Sequence, residues 1–140
     1  MLLTSLMSQD MEAGLEGYGL TEARARVIWE LSAGDGFTQR ELAERLDVTP
    51  RNVTALVDAL ERTGFVSRTP HAADRRAIAL VLTRKGRDTA TKLQNEMTKF
   101  ATDLFGTIPE SELTILRRLL EETSARLMTL TQANEVSKTQ

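Results

Sequence analysis

Apolar residues recur every three or four positions along most of this chain, and every second position over one short stretch near its middle. The first period is that of a helix with one buried face, the second that of a half-buried strand. Leu3, Met7, Met11 and Leu15, with Leu2 and Leu6 beside them, predict a first helix from Leu2 to Leu15, ended by Gly14, Gly17 and Gly19. Thr21 is placed to cap a second helix reaching about Ala33, with Leu20, Val27, Ile28 and Leu31 on its inner face and Gly34 as its stop. Asp35 and Gly36 make a turn. Thr38, with Glu41 three positions later, forms a capping box for a short third helix, Gln39 to Leu46, that buries Leu42, Ala43 and Leu46.

Asp47 and Val48 leave room only for a tight turn before Thr49-Pro50, a hydroxyl cap followed by a residue with no amide to waste at the first helical position. The fourth helix runs to about Thr63, with Val53, Leu56, Val57 and Leu60 inward and Arg51, Asn52, Thr54, Ala55 and Asp58 outward. Gly64 stops it. Phe65 to Thr69 then reads as a strand and Ala77 to Leu82 as its partner, with Ile78, Leu80 and Leu82 on one face and a polar loop, Pro70 to Arg76, between them. Thr83 caps a long fifth helix whose expected inner set is Ala90, Leu93, Met97, Phe100 or Ala101, and Leu104. Pro109 opens a sixth carrying Leu113, Leu116, Leu119, Leu120, Leu127 and Leu130, and the polar residues 133–140 are expected to fray.

This order predicts a mainly α fold with a small β-hairpin wing. A winged helix-turn-helix lobe over residues 20–83 is flanked by helices at 1–19 and 84–132, which carry more apolar surface than so small a lobe can cover. Burial against a second copy is the economical solution, so residues 1–140 are expected to form a single domain of a symmetric homodimer, with the flanking helices as its dimerisation region.

Composition narrows the chemistry. At 140 residues the chain can bury one core without a disulfide or metal staple. It has no cysteine, which excludes thiolate metal sites, cysteine nucleophiles and thiol redox sensing. The single histidine, His71, falls in the hairpin loop with no cluster at metal-ligand spacing, so no metal and no cofactor are expected. Glu121 and Glu122 are neighbours on a helix and point apart, and there is neither a Ser-His-Asp set nor a phosphate-binding glycine loop; an enzyme is not expected. The longest apolar runs are a few residues, and the first seven residues lack the basic start and long apolar core of a secretory signal. A cytoplasmic protein with no membrane partner is the expectation.

The net charge of −2 conceals an uneven distribution. Between Thr38 and Arg87 ten basic residues face six acidic ones, and from Arg62 to Arg87 seven basic residues face Asp74 alone. Two short helices joined by a tight turn, followed by a basic hairpin, suit duplex DNA: the second helix fits a major groove, and Arg51 and Asn52 near its start match guanine and adenine edges. Thr54 adds a methyl and a hydroxyl, while Thr49, Arg51 and the free amides of the first turn also suit a phosphate. At the hairpin tip, Arg75 or Arg76 can enter a narrow minor groove, whose negative potential attracts guanidinium, and Asp74 can hold one of them extended. The candidate DNA contacts are thus Thr38, Thr49, Arg51, Asn52, Thr54, Arg68, Asp74, Arg75, Arg76 and Arg84.

Five phrases together carry a family resemblance: Gln39-Arg40-Glu41-Leu42-Ala43, Pro50 through Asp58, Leu60-Glu61-Arg62-Thr63-Gly64-Phe65-Val66, Asp74-Arg75-Arg76 and Leu82-Thr83-Arg84-Lys85-Gly86. From about Leu20 to Gly86 the chain resembles the MarR family of winged-helix transcription regulators. The resemblance implies a homodimer whose first, fifth and sixth helices form the dimerisation region, with two winged lobes on a pseudo-palindromic operator, and a repressor released by a small aromatic or lipophilic effector. It implies Arg76 as the minor-groove arginine, Asp74 as its orienting partner and Arg75 as an auxiliary phosphate contact. It also implies an effector pocket in which Tyr18 and Trp29 take part. The chain departs from the family at Ala55, where such recognition helices often carry arginine. The alternative, from the residues alone, is a winged-helix protein-interaction module without DNA specificity, docking the same helix and hairpin on an acidic protein surface.

Overall fold

The computed structural model describes residues 2–34, 36–71 and 76–138, with side chains to Thr131. Among them run α1 (Leu2–Glu16), α2 (Glu22–Ser32), α3 (Gln39–Leu46), α4 (Pro50–Arg62), β1 (Val66–Pro70), β2 (Ile78–Leu82), α5 (Arg84–Phe105) and α6 (Glu110–Lys138). The chain divides into two compact units, residues 1–95 and 96–140, with the boundary inside α5. The predicted order of elements is the observed one.

In the first unit the helix starts are local chemistry. Thr21 accepts a hydrogen bond from the Arg24 amide, and Thr49 accepts one from the Asn52 amide ahead of Pro50. At α3 the capping box is complete: the Thr38 hydroxyl accepts from the Glu41 amide, and the Glu41 carboxylate accepts from the Thr38 amide at 2.8 Å. The turn between α3 and α4 is tight because Asp47 takes a left-handed conformation, φ 54°, and its amide donates back to Ala43 and Glu44.

The core of this unit is made by Val27, Ile28 and Leu31 of α2, Leu42 and Leu46 of α3, Val53, Val57 and Leu60 of α4, and Leu80 and Leu82 of β2, joined by Leu15, Leu20, Phe65, Ala90 and Leu93. β1 and β2 pair antiparallel, with Val66 opposite Leu82 and Pro70 opposite Ile78. A contact the period-2 pattern does not disclose extends this ladder: Phe37, just before α3, bridges Leu80, whose amide donates to the Phe37 carbonyl at 2.7 Å.

The corner between α4 and β2 is built from backbone. The Thr83 hydroxyl donates to the Gly64 carbonyl at 2.6 Å and accepts from the Gly86 amide, and the Thr83 amide donates to the Phe65 carbonyl. Gly86 sits so close to that carbonyl that a Cβ there would lie 2.1 Å from the oxygen. Only glycine fits.

Several expected faces differ from those observed. α1 continues through Gly14, since one glycine is a tolerable cost inside a helix, and of its stripe only Leu15 is buried and Met11 half-buried; Leu2, Leu3, Leu6 and Met7 are exposed. Leu56 is half-buried, and Ala59 joins the inner face of α4. Ile78, at the far end of the ladder, is exposed beyond the reach of the helices. On α5 the buried set stops at Leu93, with Met97 and Leu104 exposed.

The second unit comprises the end of α5 and α6, which runs on to Lys138, past Gln132 where the polar sequence suggests fraying. Phe105, Ile108 and Leu113 are half-buried there, and a cavity of about 560 Å³ opens between Ala101, Phe105, Leu113, Leu116 and Leu120. Leu116, Leu119, Leu120, Leu127 and Leu130 are exposed.

Candidate nucleic-acid interface

The outward face of α4 has two halves of opposite chemistry. Its first two turns present Arg51, Asn52, Thr54 and Ala55, all exposed, and Arg51 makes no ion pair among the described residues. The Thr54 hydroxyl donates to the Pro50 carbonyl at 3.0 Å, so its proton is used within the helix and the methyl remains for outside contact. The last two turns present Asp58 and Glu61, and these are paired: Arg68 of β1 reaches across, donating to Asp58 at 2.6 Å and to Glu61.

The candidate contacts therefore sort by what each side chain already does. Thr49, Arg51 and Asn52 lie together at the exposed start of α4. Thr38 is half-buried and occupied: besides capping α3, its hydroxyl donates to Glu41 at 2.8 Å. Arg68 is half-buried and paired within the chain; the hydrogen bond with Asp58 is the main cause of its raised pKa, against a smaller lowering by burial. Arg84 is 92% exposed at the first turn of α5, 3.9 Å from Asp88. Arg76 is exposed at the foot of β2, while Asp74 and Arg75 lie outside the described residues. Glu41, held by the Thr38 amide and then its hydroxyl, has its pKa lowered, so the cap stays charged.

Trp29 lines a space of about 640 Å³ with Leu31, Val81, Leu82, Arg87, Ala90 and Gln94, and Tyr18 is not among its walls. The indole Nε1 of Trp29 is buried without a hydrogen-bond partner among the described residues. Both rings pack against the core. No group of three His, Cys, Asp or Glu residues able to hold a metal ion occurs among the described residues. No helix described is long and apolar enough to cross a membrane.

Sequence reasoning does not single out the use of Arg68, nor two further basic residues at the corner. Lys85 donates to the Thr63 carbonyl at 2.8 Å and lies over the Phe65 ring, and Arg87 donates to the Leu82 carbonyl at 2.6 Å. A signal for the Arg68 pairing is present: two acids three apart on one helix face, followed by an arginine in the next strand.

Comparison with known proteins places this geometry. Residues 18–77 match the model of the MarR family. The HTH-type transcriptional repressor YetL of Bacillus subtilis is 36% identical over 87 residues, covering 61% of this chain and 52% of that protein. The HTH-type transcriptional repressor MdtR, also of Bacillus subtilis, is 36% identical over 77 residues, covering 55% and 50%. The chain thus spans about half the length of these two relatives. Among solved structures, Streptococcus pneumoniae FabT in complex with DNA shares the fold with a TM-score of 0.80 at 24% identity, over 92% of this chain and 94% of that one. The winged helix-turn-helix geometry, the match over residues 18–77 and these relatives agree in likening the central segment of the chain to the MarR family.

Proposed function

We propose that this protein is a sequence-specific DNA-binding transcriptional regulator, a ligand-responsive repressor that occupies a pseudo-palindromic operator as a homodimer. The observation that carries the reading is the exposed first half of α4, where Arg51 and Asn52 stand clear of any core contact beside an antiparallel hairpin. A helix so presented fits a major groove, and a hairpin beside it reaches the flanking minor groove. Arg51 and Asn52 read base edges, Thr49 and the first-turn amides hold a phosphate, and Arg76, with Asp74 and Arg75, serves the minor groove. Arg84, exposed at the start of α5, is an outlying phosphate contact. Thr38 contributes as the cap that fixes α3.

The exposed leucines of α6 support the homodimer, since a second copy would cover them. Two recognition helices must then sit roughly 34 Å apart to enter successive major grooves on one face. A small aromatic or lipophilic effector that alters this spacing needs a coupling of only about 1 to 3 kcal/mol to change affinity some 5- to 150-fold. Trp29, with its unpartnered Nε1 at a cavity wall, supports an effector site; Tyr18 serves as packing. The regulator acts in the cytoplasm and is not an enzyme.

Selection from randomised duplexes tests the reading. An enriched inverted repeat is expected, and Arg76→Ala should weaken binding at every sequence while lowering the salt slope by about 0.9 for each phosphate that the arginine neutralises. A pool that returns no repeat, together with capture of acidic proteins, would instead favour the protein-interaction module.

A further inference from the structure

We propose that Arg68 serves DNA binding without touching DNA: it is a positioning residue that neutralises Asp58 and Glu61 on the outward face of the recognition helix. This rests on the DNA-binding reading and corrects the place of Arg68 within it.

The argument starts from α4. Its outward face is the one offered to a polyanion, yet it carries two carboxylates one turn apart, Asp58 and Glu61. Left alone, they would repel phosphate, and like charge across an interface is costly. Arg68 meets both. One terminal nitrogen donates to Asp58 Oδ1 at 2.6 Å and the other to Glu61 Oε2, so the planar fork spans the two acids. The Arg68 side chain is 28% exposed, against 52% and 40% for those of Asp58 and Glu61, so the arginine is the least exposed member of the trio. An arginine held this way has both terminal nitrogens engaged within the chain before DNA arrives. What it contributes is the removal of negative charge from the recognition face, together with a tie between β1 and α4.

A direct phosphate contact and a neutralising clamp make opposite predictions about coupling. The full chain is tested against its selected duplex, with Arg68→Gln prepared in the wild-type background and in an Asp58→Asn, Glu61→Gln background, and Arg68→Lys as the charge-conserving control. The clamp predicts that Arg68→Gln alone weakens binding about tenfold, that the same change is nearly silent once both acids are neutral, and that Arg68→Lys keeps most of the affinity. Thermal melting of each variant separates this from damage to the fold, because the clamp weakens binding at temperatures where the variant is still fully folded, whereas a merely structural role would lower affinity only as far as it unfolds the chain. An equal loss in both backgrounds, with the salt slope lowered by about 0.9, would make Arg68 a phosphate contact and overturn the clamp alone. Unchanged affinity in Arg68→Gln would also overturn it. A wild-type chain that selects no duplex overturns the DNA-binding reading, and the clamp with it.

Discussion

Two regions of this chain carry leucines at the same helical spacing and treat them differently. In the helix-turn-helix lobe, Leu42 of α3 and Leu60 of α4 are wholly buried, enclosed by neighbouring helices and by the β-ladder. In α6, Leu119 and Leu127 follow an equally regular apolar stripe and are 47% and 63% exposed. Spacing specifies a face. It does not specify what covers that face, and the partner must be found elsewhere, inside the chain for α4 and, on our reading, in a second copy for α6.

The contrast can be broken first where it is strongest. Leu60→Ala removes a side chain from a fully buried site and should cost about 3 kcal/mol, read as a lower denaturant midpoint that does not depend on protein concentration. Gly86→Ala should come next, at about 2 kcal/mol, because its new methyl meets the Phe65 carbonyl and cannot move without shifting the corner. Leu127→Ser sharpens the other side: in dilute solution it should cost less than about 0.5 kcal/mol, while the wild-type melting midpoint rises with protein concentration and that of the variant rises less. A wild-type midpoint independent of concentration would deny α6 its second copy. The smallest effect is in acid. The folded chain lowers the pKa of Glu41 through the Thr38 amide and hydroxyl, so the cap contributes fully above the ordinary glutamate range and its contribution is lost as the pH falls through the lowered value. Glu41→Gln should flatten that part of the stability profile, which acid titration of the melting midpoint would show.

What is legible in the sequence is chiefly local. Thr21, Thr38 and Thr49 cap the helices that the pattern assigns to them, because a hydroxyl and the amide three residues on are neighbours in any chain that turns there. The outward set on α4 is legible too, since burial of Val53, Val57 and Leu60 leaves Arg51, Asn52 and Thr54 no other direction. The bridge from Phe37 to Leu80 is not, because it joins residues far apart in sequence and a single bridge has no period. Arg68 counts among the basic residues of the hairpin, and composition cannot tell a cation offered outward from one already paired. Periodicity alone points Met97 and Leu104 inward, whereas the lobe's core ends at Leu93.

The weld at Gly86 has a bearing on how such proteins diversify. The joint holding α4, the ladder and α5 together is made of carbonyls, amides and one threonine hydroxyl, none of which belongs to the side chains at positions 51, 52, 54 and 55. Those four positions are accordingly free to drift at little thermodynamic penalty, as exposed sites generally are. On the proposed DNA-binding reading, a lineage built on this frame can acquire a new target sequence by changing its reading letters while the mounting beneath them stays the same.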